Sequence, residues 1–419
     1  MTWRRSGVRP ARPARTPADV FRRRRIIALV LSLAVIGGVA AGVVVVLAGS
    51  GGGRPTPRLS GFEGGAGQAG TGPKASRLRT FVHSLPLERQ VGQLFMIGFE
   101  GQQRSDPGLG VLPARDWGGV MLSRDNFADA AQLKRLTGAV STAASRAKHV
   151  PPLVAAEQEG GDHSAFPDFP PKAQPEVSAG GAAQAATQAR AAAAALKAHG
   201  VTMTLAPVAD VGAAGGGVQD RVFSDDTQAV TRLVSAAVAS YRAAGIIAAV
   251  GHFPGQGTAS QDPDQGTATV GLSLPDLRKR DLPPFAAVTR DAPVVLVSNA
   301  VYAAYDGVTP AALLPDLVNG QLRGNLGFRG VVMTGDLVDA AGVTGQSVGQ
   351  VAVAAVKAGD DLLYVSGGPT EQAQAFQAVL DALRKGEVSR DRVEASVARV
   401  IALKQRYGLA ALPPARKRR

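Results

Sequence analysis

The sequence predicts an α/β fold: a (β/α)8 TIM-type barrel preceded by one transmembrane helix and a flexible linker. Three features carry this expectation. Short apolar runs alternate with amphipathic stretches over most of the chain, the pattern of a parallel sheet or barrel. Eight such runs can be counted, the number that closes a barrel of this kind. The run Ile246–Val250 discharges into a Gly-rich loop carrying His252, Asp262 and Asp264, and such barrels present their chemistry at the C-terminal ends of their strands. No G-x-G-x-x-G follows a first strand, which argues against an open dinucleotide-binding sheet.

In chain order, residues 1–25 read as a basic cytoplasmic segment and 26–48 as a membrane span of 23 uncharged, mostly apolar residues directly after Arg22–Arg25. A cleaved signal peptide is the rival reading, but no clear A-x-A site follows. Ser50 stands where a lipidated cysteine would be. A retained anchor is therefore expected, with a single pass in the cell membrane, the N-terminus cytoplasmic and the rest outside. Residues 49–77, rich in Gly and Pro, form a linker. The barrel occupies 78–410, and 411–419 form a basic tail.

The strands are expected at Val91–Phe99, Gly118–Ser123, Leu153–Glu157, Thr202–Pro207, Ile246–Val250, Pro293–Ser298, Gly330–Thr334 and Asp361–Val365. Helices are expected at Asn126–Lys148, Gly180–Ala198, Thr227–Ala244, Val348–Ala358, Thr370–Lys385 and Arg390–Tyr407, with Gly200 and Gly245 as C-terminal caps.

The net charge of +13 invites a nucleic-acid reading that its distribution does not support. Residues 1–25 hold nine Arg and one Asp, and the last four residues add four more cations, leaving +1 between. With no cysteine, thiol catalysis and thiolate metal sites are excluded. The five histidines form no paired ligand motif, so neither a metal nor a cofactor is expected.

Polar residues cluster at predicted strand ends: Glu157 and Glu159, Asp210, Arg221, His252 with Asp262 and Asp264, Asn299 with Tyr302, and Thr334 with Asp336. Carboxylates with one Arg and one His suit acid–base work on a neutral polyol such as a sugar. Each also has a plain reading: Asp210 and Asp225 as helix caps, Glu159 as a partner of its own Gly-Gly turn.

A family resemblance then becomes specific. VGQLFMIGF, GGVMLSRDN, EQEGG, LAPVADV, RVFSDD, GHFPGQG-x4-DPD, VYAAYDG and LRGNLGFRGVVMTGDL occur in this order. From about Leu87 to Leu409 the chain resembles glycoside hydrolase family 3, most closely the bacterial β-N-acetylglucosaminidases that trim peptidoglycan fragments. The resemblance implies a retaining mechanism, with an aspartate nucleophile after strand seven and a His–Asp acid/base pair in the strand-five loop. It also implies departures. Gly335 takes the nucleophile position, and Asp264 that of the acid/base His, while Asp262 persists as its partner. Gly251 and Ala165 stand where a sugar-binding Lys and an Arg are usual, and Glu157 where the family has Asp. Glu157, Arg221 and His252 remain as substrate-binding candidates, and Asp262, Asp264 and Asp336 as catalytic ones.

Two readings follow. One is a barrel without standard glycosidase activity that binds cell-wall glycans containing N-acetylglucosamine, or serves as a protein scaffold. The other is an active β-N-acetylhexosaminidase whose nucleophile has moved to Asp336, which a local bulge could re-aim. The expected partners are a carbohydrate and the membrane, not nucleic acid.

Overall fold

Strand side chains alternate between two faces, so a closed barrel needs one apolar set for its interior and a second for its helical jacket. The computed structural model describes residues 73–103 and 105–411 and meets both needs. Eight parallel strands close the barrel: β1 Phe95–Gly98, β2 Gly119–Leu122, β3 Leu153–Ala156, β4 Met203–Thr204, β5 Ile247–Phe253, β6 Val294–Val297, β7 Val331–Asp336 and β8 Leu362–Val365. Each pairs with its sequence neighbours, and β1 closes against β8. Met96, Met121, Ala155, Met203, Ala249, Leu296, Met333 and Leu362 fill the interior. The alternate residues, among them Phe95, Val120, Val154, Val295, Val332 and Leu363, pack outward under the helices.

The main jacket helices are Ala130–Arg146, Gly181–Ala198, Thr227–Ala244, Val348–Ala358, Pro369–Arg384 and Arg390–Arg406. Their starts follow from caps: Asp129, Asp226, Ser347 and Ser389 each accept a first-turn backbone N–H. Gly245 ends its helix at φ 79°, a left-handed conformation that glycine adopts without a Cβ penalty. A helix at Pro73–Ser84 begins inside the stretch read as linker. The first expected strand starts late because Leu87–Gly92 is helical; the buried Gln90 ties that turn down by donating to the carbonyls of Val82 and Leu85. The strand expected to end at Val250 runs on to Phe253.

The expected single-pass membrane localisation is corrected. Among the described residues no helix is long and apolar enough to cross a membrane. The span read at 26–48 lies outside the described residues, as do the basic segment before it and nearly all of the tail.

Two bulges set the site. Val250 and Phe253 of β5 pair with Val295 and Val297, so three steps on one strand meet two on the other. Both paired residues face outward, and the extra residue lets His252 turn to the barrel mouth. On β7, Met333 pairs with Leu362 and Asp336 with Tyr364, the same three-for-two shift.

Candidate active site

Arg221, with its side chain 2% exposed, is the hub of the C-terminal mouth. Its Nε and Nη2 donate to Glu159 Oε2 and Oε1, both at 2.8 Å, a bidentate pair. Nη1 donates to Asp262 Oδ1 at 3.0 Å and Asp264 Oδ2 at 2.8 Å, and Nη2 reaches Glu157 Oε1 at 3.4 Å. A guanidinium has five N–H groups, and these contacts engage all of them.

Local structure explains the convergence. β3 leads into a hairpin, Gln158–Gly160 against His163–Ser164, that projects Glu157 and Glu159. Buried Gln158 anchors it, donating to the carbonyls of Phe166, Phe169 and Pro170. Gly160 sits at φ 118°, and a Cβ there would lie 2.1 Å from the Lys172 carbonyl oxygen, so only glycine fits this turn. Gln174 donates to the carbonyls of Val208 and Arg221 and so fixes the hub to the β4 loop. Asp262 Oδ1 also accepts the Asp264 N–H, which holds both carboxylates on one side of Arg221.

His252 is oriented by Asp210, whose Oδ2 lies 2.9 Å from Nδ1 and whose Oδ1 accepts the backbone N–H of His252 and of Gln256. Nε2 points at the hub, 3.4 Å from Arg221 Nη2 and 3.8 Å from Glu159 Oε1. Burial favours the neutral ring, but the charge and hydrogen bond of Asp210 outweigh it and raise the pKa of His252. Asp210, read as a possible cap, is thus a partner of His252, and the helix cap read at Asp225 is Asp226. Glu159 bonds Arg221 rather than its own turn.

Glu157 and Asp264 line the open side, with side chains 44% and 59% exposed. The walls of the mouth still surround the Glu157 carboxyl, and this burial, with the nearby Glu159 charge, lifts its pKa to about 7 against the pull of Arg221. Asp264 moves the other way: burial would raise it, and Arg221 and His252 hold it below the usual range.

On the β7 side, a Cβ built on Gly335 would lie 2.8 Å from Asn299 Nδ2, so the Asn299 amide fills the space where a side chain would begin. Asn299 is 8% exposed; its Nδ2 donates to the Asp336 carbonyl at 2.7 Å, and its Oδ1 has no hydrogen-bond partner. The Asp336 carboxylate accepts the N–H of Val338 and of Ser366, capping the helix Leu337–Thr344, and burial raises its pKa. Thr334 accepts the Tyr364 N–H, and Tyr302 donates to the Gly255 carbonyl, so both hold backbone. Gly251 faces the interior, where a Cβ would meet Leu296 at 3.1 Å, and Ala165 is buried.

Among the described residues, Glu157, Glu159 and His163 bring ligand atoms within 4.8 Å of one another, close enough for a cation. Glu159 commits both oxygens to Arg221 and His163 commits Nε2 to Asp220, so few lone pairs face such an ion.

A closed parallel barrel with carboxylates, one Arg and one His gathered at its C-terminal mouth is an arrangement suited to glycoside chemistry. The glycosyl hydrolase family 3 N-terminal domain matches residues 86–403, and the chain belongs to that family. A β-hexosaminidase of Xanthomonas campestris pv. campestris (strain B100) is 33% identical over 302 residues, covering 68% of this chain and 88% of the relative. A family 3 β-N-acetylglucosaminidase structure from Paenibacillus superposes with TM-score 0.73 at 32% identity, covering 80% of this chain and 65% of that one. The β-N-acetylhexosaminidase of Beutenbergia cavernae gives TM-score 0.70 at 31% identity, with 77% and 99% covered.

Proposed function

We propose that this chain is a family 3 barrel that binds glycans of the N-acetylglucosamine type without cleaving them by double displacement. The observation carrying this reading is Gly335: the position lacks a side chain, and Asn299 occupies the adjoining space. Two features add support. Asp264, in place of an acid/base histidine, is held as a carboxylate by Arg221, so it lacks the proton a general acid must give. Arg221 has every donor engaged and so has none left to offer a sugar.

One observation favours the second reading, an active hexosaminidase. The β7 bulge brings Asp336 into register with Tyr364, which lies two residues beyond the inward-facing Leu362 on β8, and this favours a turn of Asp336 toward the mouth. Against it, Asp336 Oδ1 accepts the N–H of Val338, which caps the helix Leu337–Thr344, and the N–H of Ser366 beyond β8. Hydrolysis of an aryl β-N-acetylglucosaminide by the purified full chain separates the readings. The proposal expects no release above the buffer rate, and turnover abolished by Asp336→Asn would establish the second reading.

A further inference from the structure

Inward side chains fill a parallel barrel in layers, and the last layer forms the floor of its C-terminal mouth. On β8 the inward positions are Leu362 and, two residues on, Tyr364, which stands in register with Met96 of β1 and Asp336 of β7. Leu362 is fully buried within the interior. Tyr364 packs on that interior at its mouth end and is the one residue of β8 that is not fully buried. Its backbone N–H donates to Thr334 Oγ1, which fixes the strand beneath the ring. The ring therefore closes the interior and turns its outer side to the mouth.

Donors are scarce at this floor. All five N–H groups of Arg221 are engaged, and the Tyr302 hydroxyl is spent on the Gly255 carbonyl. The Tyr364 hydroxyl makes no hydrogen bond among the described residues, and it is not sealed in as the unpartnered Tyr407 hydroxyl is. Burial, with the charges of Asp336, Glu157, Asp339 and Asp264 nearby, raises its pKa, so it keeps its proton at neutral pH. A sugar hydroxyl both donates and accepts, so the acceptors around the mouth can satisfy it. An acetamido carbonyl only accepts, and it needs a donor. We propose that Tyr364 is the specificity-determining residue of the mouth, its Oη donating to the acetamido carbonyl of an N-acetylated sugar. This rests on the glycan-binding reading above and assigns the contact that selects the N-acetyl group. The ring beside the hydroxyl gives the acetamido methyl an apolar surface, which a hydroxyl in its place would not use.

Titration calorimetry of the full chain with two β-1,4-linked dimers tests this. The dimer of N-acetylglucosamine and cellobiose differ only in acetamido against hydroxyl groups. At neutral pH the parent chain is expected to bind the acetamido dimer at least about fivefold more tightly, of the order of one neutral hydrogen bond. Tyr364→Phe keeps the ring and removes Oη. It should cut the preference to under about twofold, with the loss falling on the acetamido dimer, and hold the melting temperature within about 2 °C of the parent. A floor with a purely structural role would leave the preference intact, and that result overturns the proposal. An equal loss for both dimers also overturns it, since the hydroxyl would then not discriminate. A second arm needs no variant: replacing the acetamido oxygen of the dimer by sulfur, a weaker acceptor, should weaken binding to the parent chain by at least about threefold. Unchanged binding there refutes the contact. Equal affinity of the parent chain for the two dimers refutes the contact and leaves the glycan-binding reading standing, whereas binding of neither refutes both.

Discussion

Replacing Arg221 with methionine keeps most of the side-chain volume and removes the charge, which tests whether the hub holds the mouth together. Two of its partners are buried: the side chains of Glu159 and Asp262 are 2% and 6% exposed. The other two, Glu157 and Asp264, are 44% and 59% exposed, so water screens them and they add under about 1 kcal/mol each. Breaking a buried ion pair from one side costs about 3–5 kcal/mol, because the charge left behind keeps its desolvation penalty. The loss should therefore be about 3–5 kcal/mol in urea denaturation at pH 8. At pH 5 a proton can neutralise what Arg221 leaves behind, so the deficit should shrink by at least about 1 kcal/mol. In the parent chain Asp264, depressed by Arg221, contributes stability at both pH values and loses it only as pH falls further. A loss below about 1 kcal/mol, or one equal at pH 5 and pH 8, would refute the hub.

Further outcomes follow from individual groups. Glu157→Gln should raise the melting temperature at pH 8 and leave it unchanged near pH 4.5. A carboxyl lifted to about 7 costs stability as pH rises from the unfolded value toward 7, and the amide removes that cost. Asp210→Asn should lower the His252 pKa, read from its imidazole NMR titration, because the charge opposing burial is gone. Gly335→Asp should destabilise by about 1–3 kcal/mol, since its Cβ would crowd the Asn299 amide, and adding Asn299→Ala should recover at least about 1 kcal/mol in a double-mutant cycle.

The barrel was legible because its code is local and repeated. The inward set from Met96 to Leu362 and the outward set from Phe95 to Leu363 are both apolar, so each strand reads as a short continuous apolar run between amphipathic stretches. Glu157 and His252 were legible as candidates because each ends or directly follows an apolar run, and Arg221, Asp262 and Asp264 because they lie in the loop motifs RVFSDD and GHFPGQG-x4-DPD. What escaped was anything that depends on a bulge or on a distant partner. The extended β5 beyond Val250 escaped because the apolar run stops there and the strand goes on through Gly251 and His252 across a bulge. The pairing of Asp210 with His252 and of Glu159 with Arg221 spans 42 and 62 residues, and no local spacing signals it. Asn299 over Gly335 is a consequence of β6 and β7 lying side by side, so it emerges only once the strand order is known.

The central claim of the proposal is that no covalent glycosyl-enzyme forms, because Gly335 stands where the family resemblance puts the nucleophile and Asp336 Oδ1 caps the helix that follows. Incubating the full chain with a slow fluorinated glycosyl donor of the N-acetylglucosamine type, followed by intact-mass and peptide mass spectrometry, addresses it directly. The account predicts an unmodified chain after prolonged incubation. A one-to-one adduct mapped to Asp336 would contradict it and make that residue the nucleophile.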